Sequence, residues 1–403
     1  MIKVITYTLL ILLIGKPGIS QIRTEIDSLH HKLENADQDT SRVILMTDLG
    51  YWYLSINPDS SMMFGNRALV LAQQIKYLRG QARSLATLGN TTRFLGDIPK
   101  GMELLFDGLQ ISKKYDFPFE SALCLNDIGV IYADELQDYS KALIYFSQAR
   151  LFYNRAHHNT MEEKYGIFFD IDAGISYQQT GQLDSSLFYR QRSLNKAISL
   201  QSGPYPVTLM MMGDLQFEMG NPKLAMEYLH ESIRVNQKSF DPRTAAEAYN
   251  SLAGYFRIMK QPDSSVFYAK KALADAQSIN HKQAILKASI LLAGLYESAN
   301  IDEAYKYLKI ARIVNEELYG ARKVQNLQRL ISTQQERQRE TEAAKIAYQN
   351  QLKQYALLAG LGIMFLFGFI LYRNDRQKQK ANKVLVATLS NLKSTQSQLI
   401  QSE

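Results

Sequence analysis

Seven times along the chain a small residue is followed three positions on by a large one, and four further on by another small one. The segments are 60–69, 100–109, 141–150, 185–194, 224–233, 264–273 and 303–312. Their first small positions are Ser61, Gly101, Ala142, Ser186, Ala225, Ser265 and Ala304, and their large ones Phe64, Leu104, Tyr145, Tyr189, Tyr228, Tyr268 and Tyr307. Offsets of three, four and seven line one face of a helix. About eleven residues before each block stands another small residue: Gly50, Gly89, Gly129, Gly174, Gly213, Ala253 or Ala293. Three residues after these come Tyr53, Thr92, Tyr132, Tyr177, Gln216, Phe256 and Tyr296, and turn-forming stretches such as "GDIP" and "TGQLD" separate the two sets. Each unit therefore reads as two helices joined by a tight turn. Successive small positions lie 39 residues apart at the closest (Gly50 to Gly89) and 45 at the widest (Gly129 to Gly174). One such pair cannot bury its apolar face alone, so the pairs must stack into an all-α solenoid.

Two apolar stretches frame the array. The first, Val4 to Ile14 after Lys3, is too short to span a bilayer and is followed by Gly18-Ile19-Ser20, which describes a secretory signal over residues 1–20. The second, residues 355–372, has eighteen uncharged residues. As a helix it covers about 27 Å, close to the apolar thickness of a membrane. Tyr355 and Tyr372 sit at its ends, and five basic residues against Asp375 follow in 373–383. The excess of positive charge places the C-terminal side in the cytoplasm and the repeats outside, across a cytoplasmic (inner) membrane.

The small-then-Tyr first helix and Ala-x-x-Tyr-x-x-x-Ala second helix resemble the tetratricopeptide repeat, in seven copies over residues 41–318, after a lead-in helix in 21–40. These units are longer than the family's usual 34 residues, a surplus most simply met by extra helical turns. The resemblance implies a binding role, with a concave groove lined by first-helix residues for a peptide or protein segment. Carried across position by position, the polar groove candidates are Arg83, Asn90, Arg93, Asn126, Asp134, Gln178, Asp214, Glu218, Glu247, Asn250, Arg257 and Glu297. The Tyr and Phe series reads as core.

Composition narrows the chemistry. The net charge of +7 over 403 residues is mild, and no broad basic face or base-reading motif points to nucleic acid. Cys124 is the one cysteine, so no intramolecular disulfide forms, and its apolar surroundings mark it as core. The six histidines, His30, His31, His157, His158, His230 and His281, show no metal-ligand spacing and read as solvated surface. No nucleotide-binding or hydrolase motif occurs. No catalytic residue and no metal or cofactor site is expected within these residues.

Residues 319–354 lose the repeat, and Gly and Pro nearly vanish, which predicts a helical stalk. Beyond the apolar segment, Leu385, Leu389, Leu392 and Leu399 form a seam that is useful only against a partner helix. A parallel homodimer through a coiled coil in 373–403 is the expected arrangement. "LSNLKSTQSQLIQSE" (389–403) resembles the helix leading into the phosphoacceptor domain of bacterial sensor histidine kinases, specifically kinases with a tetratricopeptide sensor of Bacteroidetes type. That resemblance implies the sensory and transmitting part of a two-component kinase, ahead of its phosphoacceptor histidine and of a domain that would use ATP and Mg and address a response regulator. Two alternatives share the first 380 residues: a receptor with a helix-turn-helix DNA-binding output, and a membrane-anchored scaffold.

Overall fold

The computed structural model describes residues 22–401 apart from 38, 158, 201, 202 and 240. The signal-peptide segment 1–20 and His158 therefore lie outside the described residues. The described chain forms two compact units, one ending at Leu330 and one covering Ile331 onward.

The first unit opens with α1 (Ile22–Glu34). Seven helix pairs follow: α2 (Thr40–Tyr53) with α3 (Pro58–Gln74), α4 (Leu78–Phe94) with α5 (Ile98–Lys114), and α6 (Pro118–Val130) with α7 (Tyr139–Arg155). Next come α8 (Thr160–Gln179) with α9 (Leu183–Ser199), α10 (Tyr205–Glu218) with α11 (Pro222–Ser239), α12 (Pro242–Ile258) with α13 (Pro262–Ser278), and α14 (Lys282–Tyr296) with α15 (Ile301–Tyr319). Among the described residues there is no β-strand. Asp, Asn or Pro opens most helices: Asp97, Asp138, Asn57 and Asn300 each accept from the backbone N–H three residues on. Many helices run 17 residues, so the surplus over a 34-residue unit is indeed extra helical turn.

The two sequence series meet within five of the seven pairs. Tyr53 stacks on Phe64, Tyr132 on Tyr145, Tyr177 on Tyr189, Phe256 on Tyr268 and Tyr296 on Tyr307, with centroids 5.1 to 5.9 Å apart. Helices come close beside these rings because the small positions leave room. A Cβ on Gly89 would stand 2.9 Å from the Gly101 carbonyl oxygen, and one on Gly101 2.7 Å from that of Gly89. One on Gly129 would enter the Phe146 ring at 2.5 Å. Cys124 is fully buried, as its surroundings suggested.

First helices of non-adjacent pairs also touch. Arg83 on α4, 1% exposed, reaches Asp48 of α2 at 2.7 Å, Glu162 of α8 at 3.0 Å and Glu120 of α6 at 3.7 Å. Its guanidinium lies over Phe119, and Tyr165 donates to Asp48. The array then turns back on itself. Phe94 of α4 stacks on His281 at the start of α14 at 4.7 Å, and Leu54, Phe94 and Ile279 form one apolar cluster. Gln283 of α14 donates to Glu135 at 2.8 Å across 148 residues of sequence. Lys323, in the first turn of α16 (Ala321–Gln401), donates to the Gly96 carbonyl.

The second unit is the remainder of α16. An eighteen-residue window of it has a mean hydropathy of 2.1 with none of its surface buried, and this helix is long and apolar enough to cross a membrane. Leu385, Leu389 and Leu392 of the predicted seam are exposed, and the side chain of Leu399 lies outside the described ones.

Replacing Gly89 with Leu should cost on the order of 1–3 kcal/mol, because the new side chain would press on Leu105 and on the Gly101 carbonyl oxygen, a backbone atom that cannot swing away. Replacing Arg83 with Met leaves three buried carboxylates without their common cation and should cost about 3–5 kcal/mol. Replacing exposed His157 with Ala should leave the melting temperature unchanged. Thermal melts of the three variants check this, and a His157 effect equal to the Gly89 effect would put the helix register in error.

Candidate functional site

A cavity of about 380 Å³ runs along the inside of the first unit, lined by the first helices of the pairs. That size matches sites for small molecules or short peptide segments. Its wall is made by helices far apart in sequence, brought together by the contacts of α4 with α14.

A local irregularity shapes one side. After α6 the chain runs through a π-turn at Ile131–Glu135. The wider turn aims both Asp134 and Glu135 at Arg93, whose Nη1 is 3.5 Å from the first and 3.4 Å from the second. Such bulges often mark functional positions in helices. Arg93 is 5% exposed and also donates to Asn90. Arg243, in the first turn of α12, lies over the Phe94 ring at 5.3 Å. His281 lies on the other face of this group, 3.9 Å from Glu247.

Farther along, Arg190 comes in from a second helix, α9. It donates to the Met211 carbonyl and to Gln178, and Gln178 in turn donates to Glu218. Tyr255 donates to Asp214 at 2.7 Å and stacks on Phe217. Between these cationic ends stand Asp127 and Asp172. Asn126 donates to Asp172 at 2.6 Å. Among the described residues neither aspartate forms an ion pair.

Enclosure shifts the titration of these groups. Burial pushes Asp127 up to about 8, the Asp172 charge adding to it and Arg93 opposing it. Burial likewise pushes Asp172 up to about 7 against the Asn126 hydrogen bond. Asp134 is raised as well, although about a third of its side chain stays open to the cavity. Burial, then the charges of Arg243 and Arg93, hold His281 well below the ordinary histidine range, so it is neutral. Several buried polar atoms on this wall have no partner: Asn126 Oδ1, Asn250 Oδ1, Arg93 Nε and His281 Nδ1. Unmade hydrogen bonds at such positions are costly, and in a cavity they are natural points of contact for a ligand.

No family model matches the chain, and no curated protein matches it. Among solved structures, the apo form of RapI is similar at 14% identity and a TM-score of 0.48, over 68% of this chain and 98% of that one. The Rap conjugation gene regulator of plasmid pLS20, in complex with the Phr* peptide, is similar at 17% and 0.49, over 80% and 97%. The apo form of the quorum sensor NprR from B. thuringiensis is similar at 15% and 0.46, over 72% and 81%. The tetratricopeptide-like architecture of this chain stands on its own seven helix pairs.

Of the twelve groove candidates, Asn90, Arg93, Asn126, Asp134, Gln178, Asp214, Glu247 and Asn250 line the cavity. Glu218 stands behind Gln178. Arg83 does not reach the cavity, being held inside the ion cluster of α2, α4, α6 and α8. Arg257 and Glu297 are exposed and lie outside the cavity lining. Reading all histidines as solvated is corrected for His281, which is 4% exposed, and for His30, which is half-buried and bonds to Tyr53 at 2.8 Å. Both sit where helix ends pack on aromatic rings, a setting that spacing alone does not reveal. Asp127, Asp172, Arg190 and Arg243 were missed. Asp127 and Asp172 stand two residues before Gly129 and Gly174, and Asp48 stands two before Gly50, so an Asp recurring at one repeat position was the available signal.

The shifts carry a sign. A carboxyl whose folded pKa is raised holds its proton in the native state while the unfolded chain has lost it, so stability falls as pH rises towards that pKa. His281 acts oppositely, but only below its ordinary value near 6.5. The carboxyl loss runs from about pH 4 to the folded values of about 7 and 8, and His281 opposes it below about 6.5, so the melting temperature of the ligand-free chain should fall between about pH 6.5 and 8. The Asp127→Asn, Asp172→Asn double variant should flatten that slope. Melts across the window check it, and an unchanged slope in the variant would assign the dependence elsewhere.

Proposed function

We propose that residues 22–330 are an extracytoplasmic sensor whose inner cavity holds a peptide or protein segment, and that α16 carries its state across the inner membrane. The observation that carries this reading is the cavity lined by buried polar atoms without partners. An extended segment suits it, because side chains from five or more first helices face one continuous channel. Among the described residues no group of His, Cys, Asp and Glu could hold a metal ion.

Support for the membrane step comes from the eighteen-residue apolar window of α16, none of which is buried, followed by the basic residues of 373–383. A single membrane helix can report on its sensor only relative to a partner. The exposed Leu385, Leu389 and Leu392 supply that seam for a parallel homodimer, and Ala356 and Gly360 offer a small-residue face within the bilayer. The output we assign is a two-component histidine kinase, on the likeness of 389–403 to the helix before the phosphoacceptor domain.

Reporter fusions at Gln351 should be active as secreted enzymes and fusions after Lys380 as cytoplasmic ones; the reverse pattern would remove the receptor reading. Single cysteines at 385, 388, 389 and 392 in a Cys124→Ser background should crosslink in membranes with a three-four periodicity. Uniform or absent crosslinking would remove the dimeric coil. The codons following Glu403 decide the output: a His-Glu-x-x-x-Pro-like motif supports the kinase, while a basic three-helix pattern or a stop codon overturns it.

A further inference from the structure

The cavity is not electrically uniform. Arg93, Arg243 and neutral His281 form one side, where each cation already has an acidic or aromatic neighbour. Asp127 and Asp172 form another; no cation of the described chain forms an ion pair with them, although the Arg93 and Arg243 charges act on both. Asn126, 3% exposed, lines the cavity between α4 and α8 with its Nδ2 on Asp172 and its Oδ1 unpartnered, adding a third acceptor. Beside them the rings of Tyr51 and Phe168 meet edge to face at 5.5 Å, and both line the cavity. The Tyr51 hydroxyl has no hydrogen-bond partner, and the Asp127 and Asp172 charges act on it directly.

Acidic groups in excess of cations, grouped beside aromatic rings, form the environment that recognises an organic cation. Ionising both carboxyls in such a place is costly unless a positive ligand group arrives. We propose that Asp127, Asp172 and Asn126 bind an alkylammonium group of the sensor's ligand, with Tyr51 and Phe168 packing on its methylene stem. This rests on the sensor reading above and deepens it, since it makes the ligand a cation. Two sources share that chemistry, a free polyamine and a lysine side chain of a short peptide. Ligand entry brings a positive charge onto two carboxyls that hold protons near neutral pH in the empty cavity, so binding should release protons to the solvent.

The test uses the full chain in detergent micelles, titrated calorimetrically with spermidine, trilysine, trialanine and triglutamate at pH 7.5. Spermidine or trilysine should bind, and the stronger of the two names the source. The Asp127→Asn, Asp172→Asn double variant keeps the side-chain shapes and should weaken that binding at least tenfold. Asp116→Asn, at an exposed ion pair with Arg155, should leave it unchanged. Titrations in two buffers of different ionisation enthalpy should report net proton release in the parent chain and less in the double variant. If neither cation binds, or if the double variant binds it equally well, the proposal is overturned. Trialanine or triglutamate binding with both cations silent would overturn it too, while leaving the sensor reading in place.

Discussion

The first unit depends on what happens around Arg83. A repeat solenoid ordinarily lets each pair touch only its neighbours. Here one buried guanidinium joins first helices from four consecutive pairs, through Asp48, Glu120 and Glu162, with the Phe119 and Tyr165 rings around it. Burying this arginine among three carboxylates is tolerable because the guanidinium offers a planar fork of donors and because Arg79 adds a second positive charge, 2.9 Å from Glu120. The geometry demands that four helix axes converge on one point, so the array must curve tightly. That curvature brings α14 back to α4 and deepens an open groove into a cavity. A looser superhelix with the same pairs would present a shallow concave face exposed to water.

Much of the architecture was readable because it is local. Small residues and aromatics at helical spacing fix which faces of two adjacent helices meet, and the five pairs that are aromatic in both series all stack. Curvature was not readable, because it is set by contacts such as Arg83 with Glu162 and Gln283 with Glu135, whose partners lie 79 and 148 residues apart. The site shows the same division. Asn126 and Asn250 line the cavity because their position within the repeat puts them on the inner face. Arg83 occupies an equivalent inner position, yet the tight turn closes that part of the groove and converts it from surface into core. Arg190 could not be foreseen from the first-helix rule, since it enters from a second helix. The π-turn at Ile131–Glu135 shifts the helical register by the equivalent of one residue, which regular periodicity cannot anticipate.

How could occupancy of the cavity be felt beyond it? Arg93 faces the cavity and sits in the last turn of α4. Three residues on, the Gly96 N–H bonds to the Arg93 carbonyl, at a left-handed backbone angle that glycine accepts freely. The Gly96 carbonyl accepts from Lys323 at 2.6 Å, and Leu327, one turn later, is buried. The first turns of the longest helix are thus fixed to the loop that directly follows the cavity residue Arg93. A ligand that alters the balance of Arg93 between Asp134 and Glu135 acts at one end of a short chain of hydrogen bonds, and α16 begins at the other. The shift it can produce is limited to its difference in affinity for the two arrangements. The Arg93 interactions at 3.4 and 3.5 Å are long for hydrogen bonds, as is the 3.7 Å contact of Arg83 with Glu120, whereas Arg83 meets Asp48 at 2.7 Å. The fold therefore holds two ion clusters with different surroundings: one around Arg83 that joins four first helices inside the core, and one around Arg93 that lines the cavity.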